Sequence, residues 1–226
     1  MDETLPETLV VEPRGAVRAS VIWLHGLGAD GHDFEPLVPE LGLGDCGVRF
    51  VFPHAPMRPV TINGGMVMRA WYDIRLPDLM QDIDEAGIRA SVAAAQGLVR
   101  REMAAGVPAA RIVLAGFSQG GVIALQAGLR FGEALAGIMV LSSYLVLPEV
   151  LAAETSPANA AAPVFLGHGH DDPLVPLRHA EAARDWLRAQ GHPVEFHAYA
   201  MPHSVCAEEI ADIRAWLRTR LCDQEG

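Results

Sequence analysis

The most informative stretch of the sequence is Gly116-Phe117-Ser118-Gln119-Gly120. An apolar run at residues 111–115, typical of a buried strand, precedes it, and a helix-compatible run at 121–130 follows it. A serine at such a junction, with a glycine two positions before and after it, matches the G-x-S-x-G pattern of a nucleophile elbow. The glycines are needed because strand and helix nearly touch in so tight a turn. The pattern predicts that Ser118 stands above the sheet edge as an attacking hydroxyl, although a serine that only caps a helix would give the same string.

On both sides of this stretch, apolar runs typical of buried strands alternate with segments of helical spacing. Continuous apolar strands separated by helices predict an α/β fold with a mainly parallel sheet covered by helices on both faces. In such sheets the functional site lies beyond the carboxyl ends of the strands. The predicted strands are 8–11, 19–24, 48–52, 111–115, 137–141, 163–166 and 194–199. The predicted helices are 33–41, one from 82 or 84 to 103, 121–130, 177–189 and one that ends near 221.

Length and composition restrict the class of protein. A chain of 226 residues with 50% hydrophobic content is long enough for a sizeable core, and we expect one domain over residues 1–226. The formal net charge of -11 argues against nucleic acid and against anionic membrane surfaces as partners. No apolar run approaches the roughly 20 residues of a membrane-spanning helix, so stable membrane insertion is not expected.

The cysteines and the N-terminal residues predict a cytoplasmic location. Cys46, Cys206 and Cys222 are odd in number, widely spaced and without a C-x-x-C pair, which favours a reduced protein over a disulfide framework. The acidic first residues lack the positive segment and apolar block of a secretory signal.

Three residues in separate loops have the chemistry that acyl transfer requires. A neutral serine hydroxyl is a poor nucleophile, so Ser118 needs a base, and His203 follows the last predicted strand. That histidine needs a carboxylate, for which Asp172, after the penultimate strand and before Pro173, is favoured over Asp171. The order serine, acid, histidine is that of an α/β-hydrolase.

The glycine-rich loop after the second predicted strand supplies part of a predicted oxyanion hole. Within His25-Gly26-Leu27-Gly28, the backbone N–H of Leu27 is the expected donor. The second expected donor is the backbone N–H of Gln119, the residue after the candidate nucleophile. His25 is expected to bond backbone groups rather than to titrate in catalysis.

Six motifs together resemble the phospholipase/carboxylesterase family, which includes bacterial carboxylesterases and the acyl-protein thioesterases. The resemblance extends over residues 20–217 and implies Ser118, Asp172 and His203 as catalytic triad, with the N–H groups of Leu27 and Gln119 as oxyanion hole. It also implies the α/β-hydrolase fold without a large cap domain, and it allows a homodimer. The motifs are His25-Gly26-Leu27-Gly28, Pro53-His54-Ala55-Pro56, Trp71-Tyr72-Asp73-Ile74, Gly116-Phe117-Ser118-Gln119-Gly120-Gly121, Asp172-Pro173-Leu174-Val175-Pro176 and Pro202-His203-Ser204.

A long segment at residues 57–79 is read as an ordered covering loop beside the site, because it holds many large apolar side chains. The resemblance implies a shallow apolar acyl groove lined in part by residues 66–80. Met66, Trp71 and Leu76 are therefore candidate substrate contacts. For Met66 and Trp71, anchoring of the loop is an equally supported interpretation.

Together these features predict a serine hydrolase that cleaves small-molecule carboxylic esters, with thioesters and lysophospholipids as further candidate substrates, through an acyl-serine intermediate. No cofactor is implied. The cluster of His168, His170, Asp171 and Asp172 is not read as a metal site, because alternate positions at a strand end point to opposite sides. The remaining alternatives are an acyltransferase with the same triad, a catalytically weak ligand-binding protein of hydrolase fold, and an interaction protein.

Overall fold

The computed structural model describes residues 5–222, and a seven-stranded sheet organises them. Two further strands pair only with each other, outside that sheet. The predicted strands are confirmed to within a few residues at each end. The nine strands of the described residues are β1 (Thr8–Val11), β2 (Ala19–Leu24), β3 (Val48–Pro53), β4 (Met57–Val60), β5 (Met66–Arg69), β6 (Ile112–Phe117), β7 (Gly137–Leu141), β8 (Val164–Gly169) and β9 (Val194–Tyr199).

The central sheet has the order β1-β3-β2-β6-β7-β8-β9. The β1–β3 pair is antiparallel and the other five neighbouring pairs are parallel, as predicted. The strands β2, β3, β6, β7, β8 and β9 therefore share one carboxyl edge. The loops after β2, β6, β8 and β9 carry the predicted triad and oxyanion residues to that edge.

Helices cover both faces of the sheet. One face packs against α2, α3, α4 and α5 through mainly aliphatic side chains, and the other packs against α1 and α6 through a more aromatic core. No helix within residues 5–222 is long and apolar enough to cross a membrane. The helices are α1 (Val38–Leu41), α2 (Glu85–Ala104), α3 (Gln119–Arg130), α4 (Pro148–Glu154), α5 (Leu177–Ala189) and α6 (Ala207–Leu221).

Two segments differ from the sequence prediction. The predicted helix at 33–41 is a 3₁₀ turn at Glu35–Leu37 followed by the four-residue α1, because Pro36 and Pro39 each remove a backbone donor. The predicted covering loop at 57–79 contains the β4–β5 hairpin, with a 3₁₀ turn at Thr61–Asn63 and glycines 64 and 65 in the left-handed region. In addition, α4 lies where no helix was predicted.

The prediction that all three cysteines are reduced is wrong for two of them. Cys46 and Cys222 form a disulfide across 176 positions of sequence, and Cys206 alone is a free thiol. The bond ties the end of α6 to the segment before β3. Sequence spacing could not indicate it, since the two cysteines meet only when α6 packs beside α1.

Candidate active site

The turn between β6 and α3 holds Ser118 in a strained conformation, with φ 53° and ψ -120°. A non-glycine residue occupies this region only when its surroundings impose it. The surroundings here are two glycines whose backbones are in close contact. A Cβ on Gly116 would lie 2.2 Å from the Gly120 carbonyl oxygen, and one on Gly120 would lie 2.3 Å from the Leu24 carbonyl oxygen. The predicted nucleophile elbow therefore has the geometry that its sequence pattern requires.

Backbone contacts hold the elbow to the neighbouring strand. The Ser118 N–H donates to the Leu141 carbonyl at 2.8 Å, and the Ser143 hydroxyl donates to the Ser118 carbonyl at 2.6 Å. Gly121 packs against Ser143, because an added Cβ would lie 2.6 Å from the Ser143 Cβ. The Ser118 side chain is thus carried by a backbone fixed on both sides.

The loops after β8 and β9 bring Asp172 and His203 together. The His203 Nδ1–H donates to Asp172 Oδ2 at 2.7 Å. The other carboxylate oxygen, Oδ1, accepts the N–H groups of Leu174 at 2.9 Å and Val175 at 2.8 Å. Asp172 is buried, whereas the alternative acid Asp171 is exposed. A buried carboxylate in this position orients the imidazole and stabilises its charged form.

His203 lies beside the elbow. Its ring contacts the Phe117 ring at a centroid distance of 4.8 Å, and Phe117 directly precedes Ser118. No hydrogen bond joins Ser118 Oγ to His203 within residues 5–222. The structure thus brings the histidine to the neighbourhood of the serine and bonds it to the acid.

A second histidine, whose place behind the acid was not predicted, is His168. Its Nε2–H donates to the Val175 carbonyl at 2.7 Å and lies 3.5 Å from Asp172 Oδ2. Burial lowers the pKa of His168, which keeps the ring neutral. The contact fixes the turn that orients Asp172. A histidine four positions before the acid was the available sequence signal.

The two predicted oxyanion donors lie in adjoining parts of the site. Gly26, next to Leu27, packs on the elbow, since a Cβ at Gly26 would lie 3.4 Å from the Ser118 Cβ. Gln119 is the first residue of α3, so its N–H belongs to the positive end of the helix dipole. The Gln119 side chain is buried, where it accepts from the Trp71 N–H at 2.8 Å and donates to the Tyr72 carbonyl at 2.7 Å.

The three candidate substrate contacts are in different environments. Met66 is 65% exposed at the start of β5 and Leu76 is also exposed. Trp71 is only 1% exposed, and its indole N–H donates to the His25 carbonyl at 2.9 Å. The environment of Trp71 therefore favours the anchoring interpretation, and Met66 and Leu76 are available to a substrate. Within residues 5–222, no group of three or more His, Cys, Asp or Glu side chains could hold a metal ion.

Near the site, α6 carries a buried acid that the sequence did not reveal. Glu209 is fully buried, and neither carboxyl oxygen has a hydrogen-bond partner among the described residues. Its Oε1 lies against Gly167 of β8, where an added Cβ would be 2.2 Å away. Burial, and secondarily the nearby charge of Asp212, raise the pKa of Glu209 to about 8. The folded protein therefore favours the protonated acid.

Replacing Glu209 with glutamine is expected to remove a pH-dependent loss of stability. Because the folded pKa of Glu209 is raised above its unfolded value, the folded state binds the extra proton between about pH 4.5 and about 8. The stability that this group contributes is present below that window and is lost as pH rises through it, by on the order of a few kcal/mol. Urea unfolding at pH 5 and pH 8.5 should show a smaller pH-dependent loss in Glu209→Gln. The matched control Glu208→Gln, at an exposed neighbour, should behave as the parent does. If Glu209→Gln lost as much stability between pH 5 and pH 8.5 as the parent does, Glu209 would not be the group responsible for that loss.

The family model for phospholipases and carboxylesterases matches residues 5–221, nearly all of the chain. The chain belongs to the phospholipase/carboxylesterase family. The match confirms the family resemblance, and with the relatives below it confirms the predicted class, a carboxylesterase- or thioesterase-like hydrolase.

Among relatives of this phospholipase/carboxylesterase family member, acyl-protein thioesterase 1 of Neurospora crassa is 42% identical over 214 residues, covering 90% of this chain and 87% of the relative. The crystal structure of Arabidopsis thaliana SOBER1 is 31% identical with a TM-score of 0.85, covering 91% of this chain and 100% of that one. That of Zea mays acyl-protein thioesterase 2 is 30% identical with a TM-score of 0.83, covering 96% and 99%. These neighbours confirm the predicted α/β-hydrolase fold.

Proposed function

We propose that this family member hydrolyses carboxylic esters and thioesters through an acyl-enzyme on Ser118, with His203 as general base and acid and Asp172 as its orienting carboxylate. The observation that carries the proposal is the 2.7 Å bond between Asp172 and His203 beside a strained serine elbow. A buried acid bonded to a histidine Nδ1 leaves Nε2 free to accept the serine proton. His168 also lies close to Asp172, but its side chain is fully buried and bonded to the Val175 carbonyl, which favours His203 as the base.

In the acylation step, Ser118 Oγ attacks the carbonyl carbon while His203 Nε2 takes its proton. The carbonyl oxygen gains negative charge and is stabilised by the backbone N–H groups of Leu27 and Gln119. The protonated His203 then gives the proton to the departing alcohol or thiol. Water repeats the sequence on the acyl-serine and releases the acid, so His203 acts first as base and then as acid in each half-reaction.

The substrate class that we propose has an apolar acyl chain. Met66 and Leu76 are exposed apolar side chains on the covering segment, which supports their contact with such a chain. Relatives named acyl-protein thioesterase 1 favour a thioester as the scissile group. A graded series of acyl chains, each as a matched oxygen ester and thioester, separates these two leaving groups. A thioester kcat/KM below that of the matched ester at every chain length would contradict the thioester preference.

Active-site labelling tests the mechanism directly. A fluorophosphonate is expected to label one serine per chain, and peptide mass spectrometry should place the label on Ser118. Unlabelled protein should show a burst of about one equivalent of nitrophenol with a p-nitrophenyl ester, because the good leaving group makes acylation faster than the attack of water on the acyl-serine. Label on another residue, or prompt turnover by fully labelled protein, would contradict the proposal. Labelling without ester turnover would instead favour a ligand-binding protein.

Domain organisation and assembly are parts of the same proposal. We infer one domain, which is supported by a sheet whose strands run from Thr8 to Tyr199 and by α6 packing back onto it. A homodimer is supported by the exposed apolar side chains of the hairpin, including Met57, Met66 and Val67. Size-exclusion chromatography over a range of concentrations tests it, and a monomer mass throughout would exclude a stable dimer.

A cytoplasmic location is also proposed, and the disulfide makes it testable. A bond between Cys46 and Cys222 favours an oxidising compartment, whereas cytoplasmic thiols are kept reduced. Alkylation of intact cells before lysis should modify all three cysteines if the protein is cytoplasmic. Recovery of the Cys46–Cys222 bond from alkylated cells would contradict that location.

A further inference from the structure

Both ring nitrogens of the buried His25 have backbone partners. Nε2 accepts from the Ala55 N–H at 3.0 Å, and Nδ1 lies 2.7 Å from the Gly26 carbonyl oxygen. A backbone N–H only donates and a carbonyl only accepts. The neutral ring therefore carries its proton on Nδ1, and Nδ1–H donates to the Gly26 carbonyl.

The Gly26 carbonyl belongs to the same peptide unit as the Leu27 N–H. Within residues 5–222 all peptide bonds are trans, so this C=O and this N–H point in opposite directions. Holding the oxygen toward the His25 ring directs the N–H to the other side. The Leu27 N–H has no hydrogen-bond partner among the described residues, which leaves it free for a ligand.

Two hydrogen bonds from Trp71 connect the backbone of His25 to the side chain of Gln119. The Trp71 indole donates to the His25 carbonyl at 2.9 Å, and the Trp71 N–H donates to the Gln119 side chain at 2.8 Å. The residues that carry the two oxyanion donors, Leu27 and Gln119, are thus linked through one buried hydrogen-bond network. Such a network fixes the direction of its groups before substrate arrives.

We propose that His25 is a positioning residue that holds the Gly26–Leu27 peptide so that the Leu27 N–H points at the oxygen of the tetrahedral intermediate. The inference rests on the proposed function of the site. An oxyanion donor stabilises charge only if its direction is set beforehand, and a peptide without the His25 bond could rotate away.

The charge state of His25 is consistent with this geometric role. Burial lowers the pKa of His25 to about 4, so the ring stays neutral across the pH range in which esterases are assayed. Protonation of Nε2 would place a donor against the Ala55 N–H, which is itself a donor. His25 therefore acts by orientation and does not exchange protons in the reaction.

Two substitutions of His25 test its two hydrogen bonds one at a time. In His25→Asn the amide N–H is placed near Nδ1 and can still donate to the Gly26 carbonyl. In His25→Gln the amide is placed near Nε2 and can accept from Ala55 while the Gly26 bond is lost. In His25→Gln we expect kcat to fall about 10²-fold with KM nearly unchanged, because one oxyanion donor is lost. In His25→Asn we expect kcat to fall less than about tenfold.

The matched control is His54→Ala. His54 accepts from the Gly31 N–H at 3.0 Å, so it bonds the far end of the same loop without touching the Gly26–Leu27 peptide. Its kcat should remain within about threefold of the parent. Inhibition by a trifluoromethyl ketone, which forms an oxyanion on Ser118, should weaken by the same factor as kcat/KM in each His25 variant. Equal losses in His25→Asn and His25→Gln, or a His54→Ala loss equal to that of His25→Gln, would overturn the proposal.

A measurement on the unsubstituted protein tests the proposal even if the His25 variants fail to fold. Nitrogen-15 NMR should show His25 neutral with its proton on Nδ1 from pH 5.5 to pH 8, and a proton on Nε2 in that range would overturn the inference. A burst assay of the parent protein distinguishes a failure of the proposed function from a failure of the role of His25. Absence of a burst defeats the proposed function, whereas a parent burst with full kcat in His25→Gln defeats only the role of His25.

Discussion

Ser118→Ala is expected to lower kcat for a p-nitrophenyl ester by about 10⁶-fold and to abolish the burst of nitrophenol. In the proposed mechanism this hydroxyl forms the acyl intermediate, and alanine cannot replace it. The elbow should persist, because the backbone of residue 118 is held by the Leu141 carbonyl and the Ser143 hydroxyl. Steady-state and stopped-flow kinetics at matched protein concentration measure the loss.

Ser143→Ala is the matched control, since it makes the same change in the same part of the molecule. Ser143 donates to the Ser118 carbonyl, and one such bond contributes about 1 kcal/mol. Its kcat should stay within about tenfold of the parent, and its burst should remain. If Ser118→Ala turned over the ester within tenfold of the parent, the acyl-serine mechanism would be wrong.

Asp172→Asn is expected to lower kcat by about 10⁴-fold at neutral pH while the protein stays folded. The N–H groups of Leu174 and Val175 both donate to Oδ1, so they should select the amide oxygen for that position. The amide nitrogen then faces His203 Nδ1 and donates to it. This reverses the hydrogen bond, leaves the proton on Nε2, and prevents His203 from accepting the proton of Ser118.

Asp171→Asn is the control for this prediction, because it makes the same change one position earlier in an exposed side chain. Its kcat should lie within about twofold of the parent. Thermal unfolding of both variants tests whether the turn after β8 is intact. If Asp172→Asn kept the parent kcat, or if Asp171→Asn lost as much kcat as Asp172→Asn, then Asp172 would not be the acid of the triad.

The fold was predictable where local pattern and burial agree. The inner strands β2, β6, β7 and β8 are buried on both faces, so they are nearly continuous apolar runs. The predicted bounds of 177–189 and 194–199 are also those of α5 and the edge strand β9. The carboxyl-edge rule then placed Asp172 and His203 in neighbouring loops, where the structure bonds them.

Other features depend on contacts that no local pattern contains. The β4–β5 hairpin is largely exposed, so its strands lack the apolar signature, and glycines 64 and 65 lie in its turn. Glu209 looks like a surface acid of an amphipathic helix, and only the packing of α6 against Gly167 buries it. His25 could be assigned to backbone bonding, but which carbonyl it binds required the positions of Gly26 and Ala55.

The position of the Cys46–Cys222 bond indicates how the enzyme would be oriented on a solid support. Cys46 precedes β3, so the bonded end of α6 lies at the amino edge of the parallel strands, and Ser118 lies at the carboxyl edge. Attachment of the protein to a resin or sensor chip at the C-terminal end of α6 would therefore present the proposed catalytic groups to the bulk solution. Attachment through the exposed Met57–Val60 hairpin strand would instead turn them toward the matrix.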